Sequence, residues 1–226
     1  QGNNYYLKWI QGELKKSKLI SGIPYYTGEE PERKFYNSAV LIQADSIQNV
    51  YNKIQLVPMA EYISLSDFFP SLKKLNLGQA NFTRGTEFTI MDVNKVKCAV
   101  MICFESTFPS LSRNFVQEGA EVLIYLVNDG WYEHPPEPQQ HARQAVYRAI
   151  ENRRPVIRCT NTGISMIIDA SGNISHEIPL NKKGIIQATI KPQNMVTFYT
   201  RHGDIFAQMN VLISLIFILV GMIRKK

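Results

Sequence analysis

Cysteine is scarce in this chain. Three occur in 226 residues: Cys98, Cys103 and Cys159. An odd count leaves at least one thiol free unless it pairs between chains, and no CxxC pair is present to hold zinc. Cys98 and Cys103 stand five apart on one strand-like run, an odd spacing that puts them on opposite faces and argues against a bridge between them. Histidine is equally sparse. His134, His141, His176 and His202 are scattered, so the sequence shows no metal cluster. GxSxG, P-loop and GxGxxG patterns are all missing, which removes the usual signatures of serine hydrolases and of nucleotide and dinucleotide binding. No internal repeat is visible, and the opening residues are not expected to be a signal peptide. No run of Lys and Arg interleaved with aromatics occurs, and no helix-turn-helix pattern, so nucleic acid is not an expected partner.

What is present points to a folded, membrane-linked protein. Hydrophobic residues make up 45% and charged residues only 19%, too apolar for disorder. The length suffices for one large domain with its own core. The net charge of +6 is read either as ordinary surface lysine or as attraction to anionic lipid. Ile205 to Ile223 carries no charge, and Arg224, Lys225 and Lys226 follow at once. At helical rise this run is roughly 28 Å long, close to the hydrocarbon thickness of a bilayer. The spacing predicts a transmembrane helix at 205–223 and a cytoplasmic basic tail at 224–226, with a buried core helix as the alternative. The positive-inside rule then puts the preceding domain on the periplasmic or outer side. Gln208 and Asn210 are the weak points of this span. The opening residues read like the middle of a domain, and the expectation is that more protein precedes them.

Along the chain, helices are predicted at Asn3–Lys16, Phe108–Gln117 and Pro138–Arg153 from their apolar spacing. Strands are predicted at Leu19–Pro24, Ser38–Gln43, Ser46–Tyr51, Glu87–Val93, Lys97–Ile102, Glu121–Val127, Val156–Cys159, Ser165–Asp169, Asn173–Ile178 and Gly184–Ile190. Asn94–Lys95 and Ser171–Gly172 are read as hairpin turns. Leu65–Leu77 is read as a loop with a short amphipathic helix carrying Phe68, Phe69, Leu72 and Leu75. Helices alternating with strands early, and strands dominating late, indicate an α/β layered domain with a mixed sheet.

Three segments carry residues fit for chemistry. In VKCAVMICFESTFPSL an apolar strand runs into Cys103 and a helix follows. A cysteine at such a corner faces helix N–H groups and the positive end of the helix dipole, which favour thiolate and could hold an oxyanion. A buried, inert core cysteine is the plainer alternative. In YNKIQLVPMAEYI, Lys53 ends a strand and Glu61 follows eight residues later. The lysine could steady an oxyanion and the glutamate could hold the lysine, although each taken singly reads as a solvated surface residue. In VNDGWYEHPPEPQQHARQAVYRAIENRRPVIRCTNTG, Asn128–Asp129–Gly130 ends an apolar strand, where α/β sheets place their sites. Trp131 and Tyr132 follow in a proline-rich loop. His141 is read as solvated on a polar helix face. Arg143, Arg148, Arg153 and Arg154 are read as a salt-bridged helix surface.

Together these segments resemble the nitrilase, or carbon–nitrogen hydrolase, superfamily, and within it the apolipoprotein N-acyltransferases. The resemblance rests on Tyr51–Asn52–Lys53 with Leu56–Val57–Pro58 and Glu61, on ICFES, NDGWY, Gln140–His141 and Arg158 to Gly163, and on the terminal apolar run. It implies an αββα sandwich, here partial and lacking its first strand, with residues 1–200 as an amino-terminally truncated catalytic domain and one carboxy-terminal transmembrane helix. It implies Cys103 as acyl-accepting nucleophile, Lys53 as oxyanion stabiliser, Glu61 as the group orienting Lys53, and Glu105 as support. Trp131, with Tyr132 beside it, would lie near the substrate entrance. The partners implied are a phospholipid acyl donor, a diacylglyceryl lipoprotein acceptor and the membrane bilayer, at a bacterial inner membrane, with no cofactor and no metal.

The family's general-base glutamate lies on an early strand that this chain does not contain. Glu13 stands in the wrong segment. The resemblance therefore implies an acyltransferase whose 226-residue chain is inactive alone. An amidase hydrolysing a small C–N bond, and a membrane-anchored non-catalytic module, are the competing readings. Phe68, Phe69, Leu72 and Leu75 either enter the membrane interface or pack in the core.

Overall fold

A computed structural model describes residues 5–44, 46–63, 81–130 and 136–224. Helix α1 (Tyr5–Leu14) leads into an antiparallel sheet of β1 (Leu19–Thr27), β2 (Lys34–Gln43) and β3 (Ser46–Asn52), in that spatial order. Gly22, Ala39 and Tyr51 stand directly opposite one another across the three strands. Residues in such a row point to one face. That face looks at the second sheet: a Cβ placed on Gly22 would lie 3.9 Å from Leu126 Cδ1.

The second sheet has six strands in sequence order: β4 (Ile90–Val93), β5 (Val96–Ile102), β6 (Val122–Val127), β7 (Val156–Thr160), β8 (Ser165–Ile168) and β9 (Ile174–Ile178). β4 and β5 form a hairpin through Asn94 and Lys95, both at positive φ. That is the backbone a two-residue hairpin turn demands. β5, β6 and β7 run parallel, joined by α2 (Pro109–Gln117) and α3 (Glu137–Asn152). Central parallel strands are covered on both faces. Accordingly, Cys98 to Ile102 and Val122 to Ile124 are continuously buried. On α2, Leu111, Phe115 and Val116 form the buried stripe. The Phe115 ring meets Tyr51 edge-on at 5.5 Å, tying α2 to the first sheet. Ser112 on the same stripe pairs its hydroxyl with Tyr125 at 2.8 Å, which satisfies the one polar atom of an otherwise apolar strand.

Most predicted elements lie where the sequence placed them. One does not. Gly184–Ile190 alternates like a strand, yet among the described residues it joins no ladder, and Ile185 is 96% exposed. Period-two patterning marks a segment able to pair, and a strand exists only where a partner edge takes up its N–H and C=O groups. The segment Leu65–Leu77, with Phe68, Phe69, Leu72 and Leu75, lies outside the described residues.

A short helix α4 (Phe198–His202) precedes α5 (Ile205–Arg224). α5 has 20 residues, mean hydropathy 2.3 in its most apolar window, and none of that window is buried. Such a helix is long and apolar enough to cross a membrane. Asn210 donates its side-chain amide to the Phe206 carbonyl at 2.8 Å, so a polar group inside the run is satisfied within the helix.

Candidate active site

Cys103 stands directly after β5, where the chain leaves the sheet through a 3-10 turn (Cys103–Thr107) before α2. Its φ is +52°. A non-glycine residue there carries strain of about 1–2 kcal/mol and persists only when neighbours enforce it. Glu105 is one enforcer. Its carboxylate, fully buried, accepts the Ile102 N–H at 2.7 Å, just before the corner. The other oxygen accepts the Tyr51 hydroxyl at 2.7 Å and the Ile54 and Gln55 N–H groups at 2.8 and 3.0 Å. One side chain thus holds the corner after β5 and the loop after β3. Burial pushes the Glu105 pKa up, while those donors and Lys53 pull it down.

That loop starts with Lys53. Its side chain is 1% exposed and its ammonium lies 2.9 and 2.8 Å from the two Glu61 oxygens. Glu61 also accepts Asn37 Nδ2 at 2.7 Å and the Val57 N–H at 2.8 Å. Neither residue is solvated, contrary to what each suggests singly: the pair is an interior ion pair with its remaining acceptor sites filled. The Lys53 charge reaches Cys103. Burial raises the Cys103 thiol pKa, against the lowering effects of Lys53, the Asn128 backbone and the Phe104 backbone. The expectation that the corner alone favours thiolate is therefore corrected, because desolvation outweighs the Lys53 charge and the backbone contacts with Asn128 and Phe104. Cys103 Sγ lies 3.7 Å from the Asn128 carbonyl, at the carboxyl ends of β5 and β6.

Beneath the corner lies a second network. Asp129 Oδ1 is 2.7 Å from His141 Nδ1, and Asp129 Oδ2 accepts Arg158 Nη2 at 2.9 Å. His141 Nε2 lies 3.0 Å from Ser106 Oγ and 3.2 Å from the Cys103 carbonyl oxygen. Burial would raise the Asp129 pKa, but the His141 and Arg158 hydrogen bonds hold it below the ordinary carboxylate value. His141 is 6% exposed, which corrects its reading as a solvated helix residue. Arg148 and Arg154 are buried as well, whereas Arg143 and Arg153 are exposed. Arg154 caps backbone carbonyls of Ala120, Asn152 and Met195 instead of forming a surface salt bridge. A signal for these residues was present. His141, Ala145, Arg148, Ala149 and Asn152 follow i, i+4, i+7, i+8, i+11 on α3, so the polar residues share the apolar stripe.

The fold gathers histidine, acid and thiol that the sequence scatters. Ligand atoms of Cys103, Asp129 and His141 lie within 4.8 Å of one another, a set able to take a thiophilic metal ion. Asp129 and His141 are, however, already engaged with each other and with Arg158. Trp131 and Tyr132 lie outside the described residues. Of the other cysteines, Cys98 is buried and burial raises its pKa to about 11, while Cys159 is exposed.

The carbon-nitrogen hydrolase family model matches residues 2–199. Among curated proteins, the chain is 34% identical over 202 residues to the apolipoprotein N-acyltransferase of Geobacter metallireducens, covering 89% of this chain and 39% of that protein. It is 33% identical to the one from Thermotoga maritima, covering 83% of this chain and 37% of that protein. The chain thus spans well under half the length of these curated relatives. Among solved structures, glutamine-dependent NAD+ synthetase from Acinetobacter baumannii superposes with TM-score 0.62 at 16% identity, over 79% of this chain and 32% of that one. A carbon-nitrogen hydrolase from Helicobacter pylori superposes with TM-score 0.59 at 21% identity, over 79% of this chain and 64% of that one. At such identities the structural likeness establishes the fold alone.

Proposed function

The chain belongs to the carbon-nitrogen hydrolase family, and from that premise we propose that it is the acyl-transferring portion of an apolipoprotein N-acyltransferase. In this reading Cys103 takes an acyl chain from a phospholipid and passes it to the α-amino group of a diacylglyceryl-cysteine at a lipoprotein's amino terminus. Sγ attacks the ester carbonyl, an S–C bond forms, and the C–O bond breaks as the lysophospholipid alcohol leaves with a proton. The acceptor amine then attacks the thioester, an N–C bond forms, the C–S bond breaks, and the departing thiolate regains a proton as the nitrogen loses one.

The residues divide this work. Lys53, held by Glu61, carries the positive charge facing the tetrahedral oxyanion, and the Phe104 N–H adds a donor beside the sulfur. Glu105 keeps the Cys103 corner and the Lys53 loop in register. Asp129 and His141 support the corner from below. A thiol whose pKa is raised by burial needs a base to become nucleophilic at neutral pH. Among the described residues no carboxylate hydrogen-bonds to Cys103 Sγ, so the base in this reading is a glutamate outside them.

The observation that carries the reading is α5. A soluble amidase would share Cys103 and Lys53 but would have no use for a 20-residue apolar helix with nothing buried. Both proposed substrates are membrane lipids, and Arg224 to Lys226 at the helix end supports a cytoplasmic carboxy terminus with the domain on the periplasmic side. The test is to incubate the full-length protein with phospholipid and search the Cys103 peptide by mass spectrometry for a hydroxylamine-labile acyl group. Its appearance in wild type and loss in Cys103→Ala is the expected result. No acyl group in wild type, or one that persists in the variant, refutes the thioester.

A further inference from the structure

Residues 195–206 join the domain to α5 without slack. Arg154 Nη1 donates to the Met195 carbonyl at 2.6 Å, and the Thr197 hydroxyl donates to the Glu151 carbonyl at 2.6 Å. The Thr200 hydroxyl meets Asn152 Oδ1 at 3.0 Å. From α2, Arg113 donates to the Thr200 and Arg201 carbonyls at 2.9 and 3.0 Å, and Gln117 donates to the Thr200 carbonyl at 3.0 Å. The ends of α2 and α3 therefore grip α4 from two sides. The single residue that turns the chain from α4 towards α5 is Gly203, at φ +66° and ψ −143°. That backbone region is essentially restricted to glycine, and a Cβ there would meet the Arg113 guanidinium at 3.4 Å.

This gripped segment is apolar on the outside. Met195, Val196, Phe198 and Phe206 are all exposed, Phe198 at 58% and Phe206 at 67%. The Phe198 and Phe206 rings lie 5.9 Å apart, so the patch on the domain runs without a break into the first turn of α5. Arg201 and His202 stand at the end of α4 beside it. Exposed aromatics next to basic side chains, level with the end of a membrane span, match the chemistry of the headgroup–acyl boundary. A protein partner would also cover aromatics, but it would not account for their continuity with an exposed, uncharged apolar helix.

We propose that Met195, Val196, Phe198 and Phe206 are a lipid footing: they sit in the outer boundary of the bilayer, and the α2–α3 grip transmits that contact to the domain. The footing rests on α5 being a membrane span. It goes beyond anchorage, because it makes the domain lie on the lipid surface at one height instead of swinging on a tether.

The test replaces Phe198 by the photoreactive p-benzoyl-phenylalanine in the full protein, reconstituted in phosphatidylethanolamine–phosphatidylglycerol vesicles. Phe217, in the middle of α5, receives the same probe in a second sample. Phe198 is exposed, so its replacement leaves the fold intact. After irradiation, a phospholipid mass on the peptides carrying positions 198 and 217 is the expected result. Lipid at 217 with only protein cross-links, or none, at 198 overturns the footing while the span stands. No lipid at either position overturns both. Acylation of Cys103, measured separately in the unmodified protein, reports on the proposed reaction, so its failure is distinguishable from either outcome.

Discussion

Replacing Lys53 by Met separates stability from chemistry. The ammonium lies 2.8 Å from Glu61 in a nearly closed site. At an effective interior dielectric of 20, the gross attraction is about 6 kcal/mol, against which both ions lost their hydration on folding. Removing one partner of a buried pair costs about 3–5 kcal/mol. Here the low end applies, because Asn37 and the Val57 N–H still serve the Glu61 carboxylate. Lys53→Met should therefore lose about 3 kcal/mol in guanidinium unfolding of the detergent-solubilised protein. Adding Glu61→Leu removes the stranded charge and should recover most of that loss. The proposed reaction behaves differently: loss of one oxyanion partner lowers the rate by about 10²–10³, and the second substitution returns none of it. The readouts are unfolding midpoints and the rate of thioester formation at Cys103. A single variant within about 1 kcal/mol of wild type would show that the pair is not interior. A double variant that acylates at the wild-type rate would remove Lys53 from the chemistry.

Glu105→Gln keeps the shape but offers an NH2 group to donors that need acceptors, leaving at least one buried N–H or O–H unmatched, at about 1–3 kcal/mol; thermal melting checks it, and an unchanged midpoint would contradict the four-donor arrangement. Gly163→Ala drives a Cβ into the Asp129 carboxylate at Oδ2. The carboxylate must leave Arg158 or His141, so a loss of several kcal/mol is expected from a single methyl, and a neutral result would refute the packing. Because burial raises the Cys103 thiol above its usual value, iodoacetamide labelling of Cys103 should climb with pH to a midpoint above that of an exposed cysteine. The sign follows from the reactive species being the thiolate, which accumulates only as pH rises through the raised pKa. Peptide mapping separates Cys103 from the exposed Cys159, and a Cys103 midpoint near neutrality would contradict the desolvated site.

The parts of this architecture that the sequence announces are those written in local patterns. β5 and β6 are unbroken apolar runs, and an unbroken run between turn signals marks a buried strand. Cys103 was found because a thiol ends such a run. Lys53 and Glu61 suggested themselves as a pair, but only the resemblance raised that reading above two solvated residues, since nothing local distinguishes a buried lysine from a solvated one. His141 and Arg154 were misread because polarity was weighed above position, and Arg148 makes the expected salt bridge, to Glu151, but from a buried place on the apolar stripe of α3 that His141 shares. Their burial is decided by partners far along the chain, Asp129 for His141 and Met195 for Arg154. Gly184–Ile190 failed for the converse reason: its pattern is local, but a strand is a property of two segments.

The position of Glu105 has a consequence for how the protein comes to life. The sulfur belongs to the six-stranded sheet and the ammonium follows the three-stranded one, and this carboxylate spans the join. Thiol and ammonium meet only once the two halves close on each other. If the proposed reaction holds, acyl capture is expected late in folding, and parting of the halves should abolish it.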